Sequence, residues 1–445
     1  MTGTGLAARL VAAGLPPAEL PGKTLLCDAT LAAFRVAHGR DPERVWWIPG
    51  RLELFGTHTD YAGGRTIVAP APRGFIVMAS RGRGRDIHLI DARNRESVTI
   101  SEAGKPFAGW RNYVSVAISR LMRNFPGARS GATIAFASDL PRASGMSSSS
   151  ALIVGVATAL AALWELPSGE DWNRSIQSGA DLATYFASLE NGATFRELGG
   201  DDGVGTHGGS EDHAAMLLGQ AGSFSAFSFV PMRLLDVVPL PPGWTVAIAT
   251  SGVKAEKTGA ARDSYNRLSD GAQHLLALWN RHHPLAHSLA AALGSSLSAI
   301  SELEASIARS DIAGWPPGAL DRRLAHFVRE DARILSAMDA LRTADQEALS
   351  ALSDESQRDA TDMLGNQIPE TIALAAAARE CGAFAACSFG AGFGGSVWAV
   401  IDSARAPQFS EDWLNRYRAR HPDREGVSFV ADPGAPVTHL SPELT

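Results

Sequence analysis

The chain has 445 residues, 45% of them hydrophobic and 20% charged, with a formal net charge of −7. That is more chain than one simple core uses, so an ordinary soluble globular protein of two domains is expected. The negative balance argues against a nucleic-acid or anionic-membrane partner, yet a phosphate ligand remains possible where local amides and a few cations hold it.

In chain order, the N-terminus is apolar but lacks a basic start and a sustained hydrophobic run. It predicts a short helix ended by Pro16 and Pro17, not a signal peptide. Apolar residues at helical spacing (Leu25, Leu26, Leu31, Phe34, Val36) predict a helix from Lys23 to His38. Val45 to Leu54 predicts a strand interrupted at Pro49 and Gly50. Thr66 to Pro70, Gly74 to Ser80 and Ile87 to Asp91 follow as short strand-like pieces between turns. Trp110 to Phe125 carries Val114, Ile118, Leu121 and Met122 on one face, an amphipathic helix. Thr133 to Ser138 predicts a strand that delivers the chain into a serine-rich turn. An apolar run and a second helix, about Ser175 to Glu190, come next. The apolar run Ala151 to Trp164 is shorter than the roughly twenty residues that span a bilayer.

Four prolines between Pro231 and Gly243 mark a change of composition, and the domain boundary is placed there, giving units 1–230 and 231–445. Thr245 to Ser251 predicts a new strand. A helical tract then runs from Lys257 to about Arg379, broken near Pro284 and at Pro316 and Pro317, with Leu324, Phe327, Val328, Leu335 and Met338 as its core stripe. Val397 to Ile401 predicts a last strand. The pattern is mixed α and β without βαβ alternation, which disfavours a doubly wound sheet. Cys27, Cys381 and Cys387 form no zinc pattern and cannot all pair, which fits a reducing cytoplasm.

Three stretches carry chemistry. In Pro49 to Gly64, Arg51, His58, Asp60 and Tyr61 fall on or beside one turn. A carboxylate and an imidazole there suit hydrogen bonds to sugar hydroxyls and an arginine suits phosphate; a polar surface turn would also carry such residues. Asp139 to Leu160 holds a Pro/Ser/Gly turn, four serines (Ser147 to Ser150) and an apolar helix. Small residues at a helix start leave backbone N–H groups open to an anion, and the helix dipole adds positive potential. A serine-rich cap before a core helix is the alternative. Gly199 to His213 packs six glycines into fifteen residues. It ends at Asp212, a candidate general base at an element start. A metal cluster of His207, Glu211, Asp212 and His213 is the competing reading; it lacks the spacing that brings adjacent residues onto one ion. Asp201 and Asp202 read as a solvated acidic loop. Ser388 to Val397 adds a second glycine turn; no opening βαβ unit or ribose-binding acid follows it and it lies near the C-terminus, which disfavours a dinucleotide site.

Taken together and in this order, the stretches resemble the GHMP kinase superfamily and, within it, the galactokinases. Pro49-Gly50-Arg51 through Gly56-Thr57-His58-Thr59-Asp60-Tyr61 is similar to the galactokinase signature, Pro141 through Leu152 to the ATP-phosphate motif, and Gly390 through Gly395 to the C-terminal glycine motif. The resemblance extends over roughly residues 25 to 401. It implies an α+β fold in two parts: an N-terminal ribosomal-protein-like β/α domain and a C-terminal ferredoxin-like one, with the active site between them. It implies ATP and Mg²⁺ as cofactors, with a small-molecule sugar as the partner of a monomer or weak dimer. By the same resemblance, Asp212 would accept or orient the proton of the attacking hydroxyl, and Arg51 would steady it. Residues Ala143, Ser144, Gly145, Met146, Ser147, Ser148 and Ser149 would hold the ATP phosphates, and Ser149 and Glu190 would ligate Mg²⁺. His58, Asp60, Gly209 and Tyr265 would contact the sugar, with Thr57 beside them.

The sequence departs from the family pattern at Thr57, where galactokinases carry an acid for the C6 hydroxyl, and at Glu53, Ala143 and His213. The segment between Glu190 and Asp212 is also longer. The expected reaction is phosphorylation of the anomeric hydroxyl of galactose or a relative, with a uronic acid or six-modified sugar as a variant of that expectation. A catalytically silent sugar and ATP sensor is the alternative from another class, and a zinc hydrolase built on His207, Asp212 and His213 is a third.

Overall fold

The computed structural model describes residues 1–445 except 102–106, 128–129, 143, 255–258, 311 and 442–445, and only the backbone of 259–261. Helices α1 (Gly3–Ala12) and α2 (Leu20–His38) lead into β1 (Arg44–Phe55), β2 (Arg65–Arg81), β3 (Ile87–Asp91) and β4 (Glu96–Ile100). Then come α3 (Trp110–Asn124), β5 (Ala132–Ser138), α4 (Ser148–Leu163), α5 (Glu170–Ser175), α6 (Gly179–Asn191) and α7 (Glu211–Leu218). The hairpin β6 (Ser223–Ser228) and β7 (Arg233–Pro239) closes this half.

These strands form one sheet of order β12-β1-β2-β5-β3-β4, in which β6 pairs with β2 and β7 with β6, and β12 (Thr438–His439) comes from the far end of the chain. The two pieces expected between Thr66 and Ser80 are one strand of 17 residues. Its first turns pair with β6 and its second half with β5, while β1 follows both halves through register shifts at Pro49/Arg51 and Glu53/Phe55. The proline therefore bends β1 without ending it, because the shift absorbs its missing N–H. Those shifts turn Arg51 and Glu53 towards the active-site cleft.

The helix α4 is apolar all round and buried on nearly every side, as its uninterrupted Ala/Val/Leu composition requires. It packs with α3 and α6 on one face of the large sheet, and α1 and α2 cover the other. On α2 the buried set is Lys23, Cys27, Thr30, Leu31 and Phe34, whereas Leu25 and Val36, expected on the same face, are 72% and 90% exposed.

The second sheet has order β11-β8-β10-β9, built from β8 (Trp244–Thr250), β9 (Ala385–Phe389), β10 (Ser396–Asp402) and β11 (Ser428–Val430). All its pairs are antiparallel, and its order is that of a ferredoxin-like split βαβ. Helices α13 (Pro369–Glu380) and α14 (Ala406–Arg420) cover one face. The other face, with Val246, Ile248 and Trp398, joins Leu52, Leu54 and Phe55 of β1 in one continuous core.

The connection from β8 to β9 is expanded into a bundle of α8 (Gly259–Asn280), α9 (Leu289–Leu293), α10 (Ala299–Ala308), α11 (Ala319–Thr343) and α12 (Gln346–Asp359), followed by α13. Its core includes Leu324 and Phe327, but Leu335, expected in the same stripe, is exposed. Among the described residues no helix is long and apolar enough to cross a membrane.

Candidate active site

The sequence-marked turns meet where the two sheets face each other. Arg51 on β1 is 4% exposed and is held by four acceptors. Its Nε donates to Asp212 Oδ1 (2.7 Å) and one terminal nitrogen donates to the Gly145 carbonyl (3.1 Å). The guanidinium also pairs with Glu211 (3.0 Å) and Glu53 (3.3 Å). Burial alone would lower its pKa, but the carboxylates of Asp212, Glu211 and Glu53 more than reverse this and keep it charged. Asp212 sits in the first turn of α7, where the helix dipole favours an anion, and its second oxygen accepts from Ser150 Oγ (3.0 Å). The carboxylate is thereby fixed from two sides.

The serine turn opens α4 with its backbone exposed to a ligand. Ser147, at the cap, adopts φ 58° and makes no side-chain capping bond, so the first amides of the helix are not used up locally. Ser149 Oγ donates to Glu190 Oε1 (3.3 Å), which sets a hydroxyl and a carboxylate side by side at the helix start. The C-terminal glycine turn closes over this point. Gly390 N–H donates to Glu53 (3.1 Å), and Ser396 Oγ donates to the Ser144 carbonyl (2.6 Å). Gly390 has φ 79°, and a Cβ on it would stand 2.8 Å from the Gly145 carbonyl oxygen, so only glycine lets the two turns touch. Ala143 lies outside the described residues.

Two clefts flank Arg51 and Ala391, which line both. The larger, an open cleft of about 1860 Å³ counting the solvent at its mouth, runs from Ser147–Ser149 past Phe75, Trp110, Tyr113 and Phe136. Flat aromatic walls at one end and helix-start amides at the other suit a nucleobase and its phosphates. The smaller, of about 500 Å³, is lined by Arg51, Glu53, Asp60, Glu190, Asp212 and Tyr265, among others. Asp60 Oδ2 accepts the Glu211 N–H (3.0 Å). Burial raises the Asp60 carboxyl to about 6, against the pull of the Glu211 and Tyr61 amides. His58 bridges Tyr61 OH (3.0 Å) and the Ala391 carbonyl (3.1 Å), and its ring lies 5.3 Å from that of Tyr265.

Thr57 does not line either cleft. Its hydroxyl donates to Glu53, which itself faces the small cleft in its place. Gly209 abuts Asp60 so closely that a Cβ would lie 2.1 Å from Oδ2. His207 pairs with Asp270 (2.9 Å) on the surface, away from Asp212. Among the described residues no group of three or more His, Cys, Asp or Glu side chains could hold a metal ion.

Asp201, read as a solvated loop acid, instead pairs with the fully buried Arg120 (3.2 Å) and with Arg123 (2.9 Å), anchoring the glycine loop. The sugar-like turn is pinned from α11: Arg323 donates to the His58 carbonyl (2.7 Å), and the buried Glu330 accepts the Gly56 N–H (2.9 Å). The sequence names Glu211 only in the metal-cluster reading and Ser150 only within the serine run, and it gives no sign that they hold Asp212 and Arg51 or that Arg323 and Glu330 hold the His58 turn. Ser150 is one of four serines with no distinguishing mark, and the α11 residues lie some 270 positions from the turn they hold.

Family models match along the same stretches. The galactokinase galactose-binding signature covers residues 32–81, the GHMP kinases N terminal domain 112–220 and the GHMP kinases C terminal domain 337–419. The chain is a GHMP kinase of the galactokinase family. Curated relatives include a galactokinase of Roseiflexus sp., 26% identical over 86% of this kinase and 90% of the relative. Another, from Chloroflexus aurantiacus, is 28% identical over 87% and 92%. The solved Lactococcus lactis galactokinase complexed with galactose matches with a TM-score of 0.74 at 22% identity, covering 92% of this kinase and 98% of that chain. A Methanococcus jannaschii mevalonate kinase matches at 0.55 and 14% identity, over 87% and 98%. At those identities both share the kinase's fold.

Proposed function

We propose that this kinase transfers the γ-phosphoryl group of ATP to the anomeric hydroxyl of galactose or a close neutral relative. The observation that carries the reading is Asp212, fixed by Arg51 and Ser150 where the two clefts meet. The nucleotide lies along the aromatic cleft with its phosphates at the start of α4, near Ser144 to Ser149. The sugar lies in the small cleft against Asp60, His58, Gly209 and Tyr265. Asp212 takes or orients the proton of the attacking hydroxyl, while Arg51 keeps Asp212 ionised and offsets charge on the transferring group. Phosphoryl transfer depends chiefly on such placement and electrostatics.

Mg²⁺ fits the pair Ser149 and Glu190, since a hydroxyl and a carboxylate are the hard oxygen donors it takes. Bound there, the ion would neutralise phosphate charge. The carboxylates of Glu53, Asp60, Glu190 and Asp212 around the small cleft disfavour a uronic acid, and Thr57 is turned away from it. The enzyme acts as a monomer or weak dimer. The division expected between residues 230 and 231 falls in the turn between β6 and β7, and pairing of β7 with β6 supports moving it to the end of β7.

The direct test is ADP release from Mg-ATP with galactose, galacturonate, fucose, arabinose and N-acetylgalactosamine. Turnover on a neutral galactose-type sugar is expected. ATP and sugar binding without turnover would mark a silent sensor instead.

Two further results are expected at the sugar. Asp60 ionises near 6, so its accepting anion is present above that pH and lost below it. The kcat/KM for the sugar should therefore fall as pH drops through about 6, with the KM for ATP unchanged; a flat profile there would remove Asp60 from the sugar site. The native state holds this proton to higher pH than the unfolded chain, so ionising Asp60 costs stability between the ordinary value of 3.8 and about 6. Gly209→Ala should raise the sugar KM by roughly tenfold to a hundredfold by displacing Asp60, again sparing ATP. Unchanged sugar kinetics would show that the loop, not Asp60, yields.

A further inference from the structure

Beside the small cleft lies an open pocket of about 960 Å³, counting the solvent at its mouth, which shares Asp60, Tyr61, Asn191, Gly208 and Gly209 with it. The two adjoin along these shared residues, and with no side chain at Gly208 and Gly209 little bulk stands at that edge. The cavity is preformed, because the glycine loop that roofs it is clamped from several sides. Asn191 Nδ2 donates to the Gly208 carbonyl (2.8 Å). Asn266 donates to the Gly205 carbonyl (2.9 Å) and accepts the His207 N–H (2.9 Å). His207 meets Asp270 on α8 (2.9 Å), and Asp201 is locked to buried Arg120.

The lining is polar, and its charged members are the carboxylates Asp60 and Asp270, the second paired with His207. Thr184, Thr194, Ser210 and Ser269 offer hydroxyls, Gln273 an amide, and Phe195 and the 47% exposed Val230 offer apolar surface. It contains no Lys or Arg, so an anionic group has no counter-charge there. Hydroxyls, an amide and an aromatic edge are what a saccharide ring uses. Such a space next to a monosaccharide cleft is larger than galactose needs.

We propose that this cavity is a subsite for a neutral glycosyl substituent on the acceptor, so that the enzyme phosphorylates a disaccharide at its reducing galactose. The inference rests on the sugar-kinase reading. The reaction is unchanged: the anomeric oxygen takes the γ-phosphoryl group, ADP leaves, and the hydroxyl proton passes to Asp212. Only the far side of the acceptor is extended, past Gly208 and Gly209.

The experiment measures ADP release on galactose and on galactobioses linked through O3, O4 and O6, for the parent enzyme, Gln273→Ala and Gln273→Trp. Gln273 lines the adjoining pocket and does not line the sugar cleft. At least one galactobiose should be phosphorylated with a kcat/KM equal to or above that of galactose. Gln273→Trp should lower that value by roughly tenfold or more by filling the subsite, with galactose unchanged within about twofold. Gln273→Ala should give a smaller loss in the same direction. If galactose turns over and no galactobiose is either a substrate or a competitive inhibitor, the subsite is refuted while the kinase stands. If a galactobiose is used but Gln273→Trp lowers both substrates equally, the cavity is not where the second ring lies and the inference fails. If no sugar turns over at all, both readings fall.

Discussion

Replacing Asp212 by asparagine should lower kcat by about 10²- to 10⁴-fold with little change in ATP or sugar binding. The amide has nearly the same shape, so it can keep one contact to Arg51 or Ser150. It carries no charge and accepts no proton, and those two properties are the ones the chemical step would use. Arg51 remains paired to Glu211 and Glu53 in the variant, so folding is expected to survive. Steady-state kinetics with a thermal melt as control separates the cases. A loss smaller than about tenfold would show that Asp212 serves by orientation and field alone, with the hydroxyl proton leaving to solvent.

Arg51→Met should be the most damaging change to stability and should also abolish turnover. Glu53, Glu211 and Asp212 converge on the guanidinium, and all are buried or nearly so. Removing one member of a buried ionic group costs about 3–5 kcal/mol, because the remaining charges stay desolvated without a partner. A protein of this size would then melt about 3–5 °C lower, by the scaling of unfolding entropy with chain length. The sign of the pH dependence checks the cause. Without Arg51 the three acids should bind protons more tightly in the native state than in the unfolded chain. The variant's deficit should therefore shrink as pH falls. Arg51→Lys keeps the charge but loses the planar fork that serves Asp212 and Gly145 together, so it should restore stability more than activity. A deficit independent of pH would point to lost packing instead of lost charge balance.

How much of this was legible depends on how far apart the partners lie in sequence. The helix from Trp110 and the strand from Ile87 to Asp91 follow from local periodicity and appear as expected. Arg51, Asp60 and Asp212 stand out as charged residues on or beside glycine-bearing turns, whereas Ser149 and Glu190 follow only from the family resemblance, and the fold gathers all five at one point. Thr57 misleads, because a sequence shows which residue follows Gly56 but not which way its side chain turns; Glu53 draws it inward. Asp201 misleads for the opposite reason. A loop acid looks solvated until a buried arginine from α3 reaches it. On α2 and α11 the misplaced Leu25, Val36 and Leu335 show that apolar residues can fall on an outward stripe when neighbours such as Thr30 and Ala337 are small enough to pack closely. The anchoring of the His58 turn by Arg323 and Glu330 is a tertiary fact with no local signature.

The outer edge of β1 is completed from the opposite end of the chain. Trp46 and Trp47 pair with His439 and Thr438, Leu440 N–H reaches the Val45 carbonyl, and Ser441 Oγ accepts the Val45 N–H. During synthesis, then, the strand that carries Arg51 leaves the ribosome long before its last neighbour exists. Until residues 438–441 emerge, a row of unpaired amides and two tryptophans is open to any other extended chain, the usual starting point for aggregation. Truncation after β11 would make that exposure permanent, so loss of a short terminal strap should be felt first as poor yield of soluble protein, before any defect in catalysis.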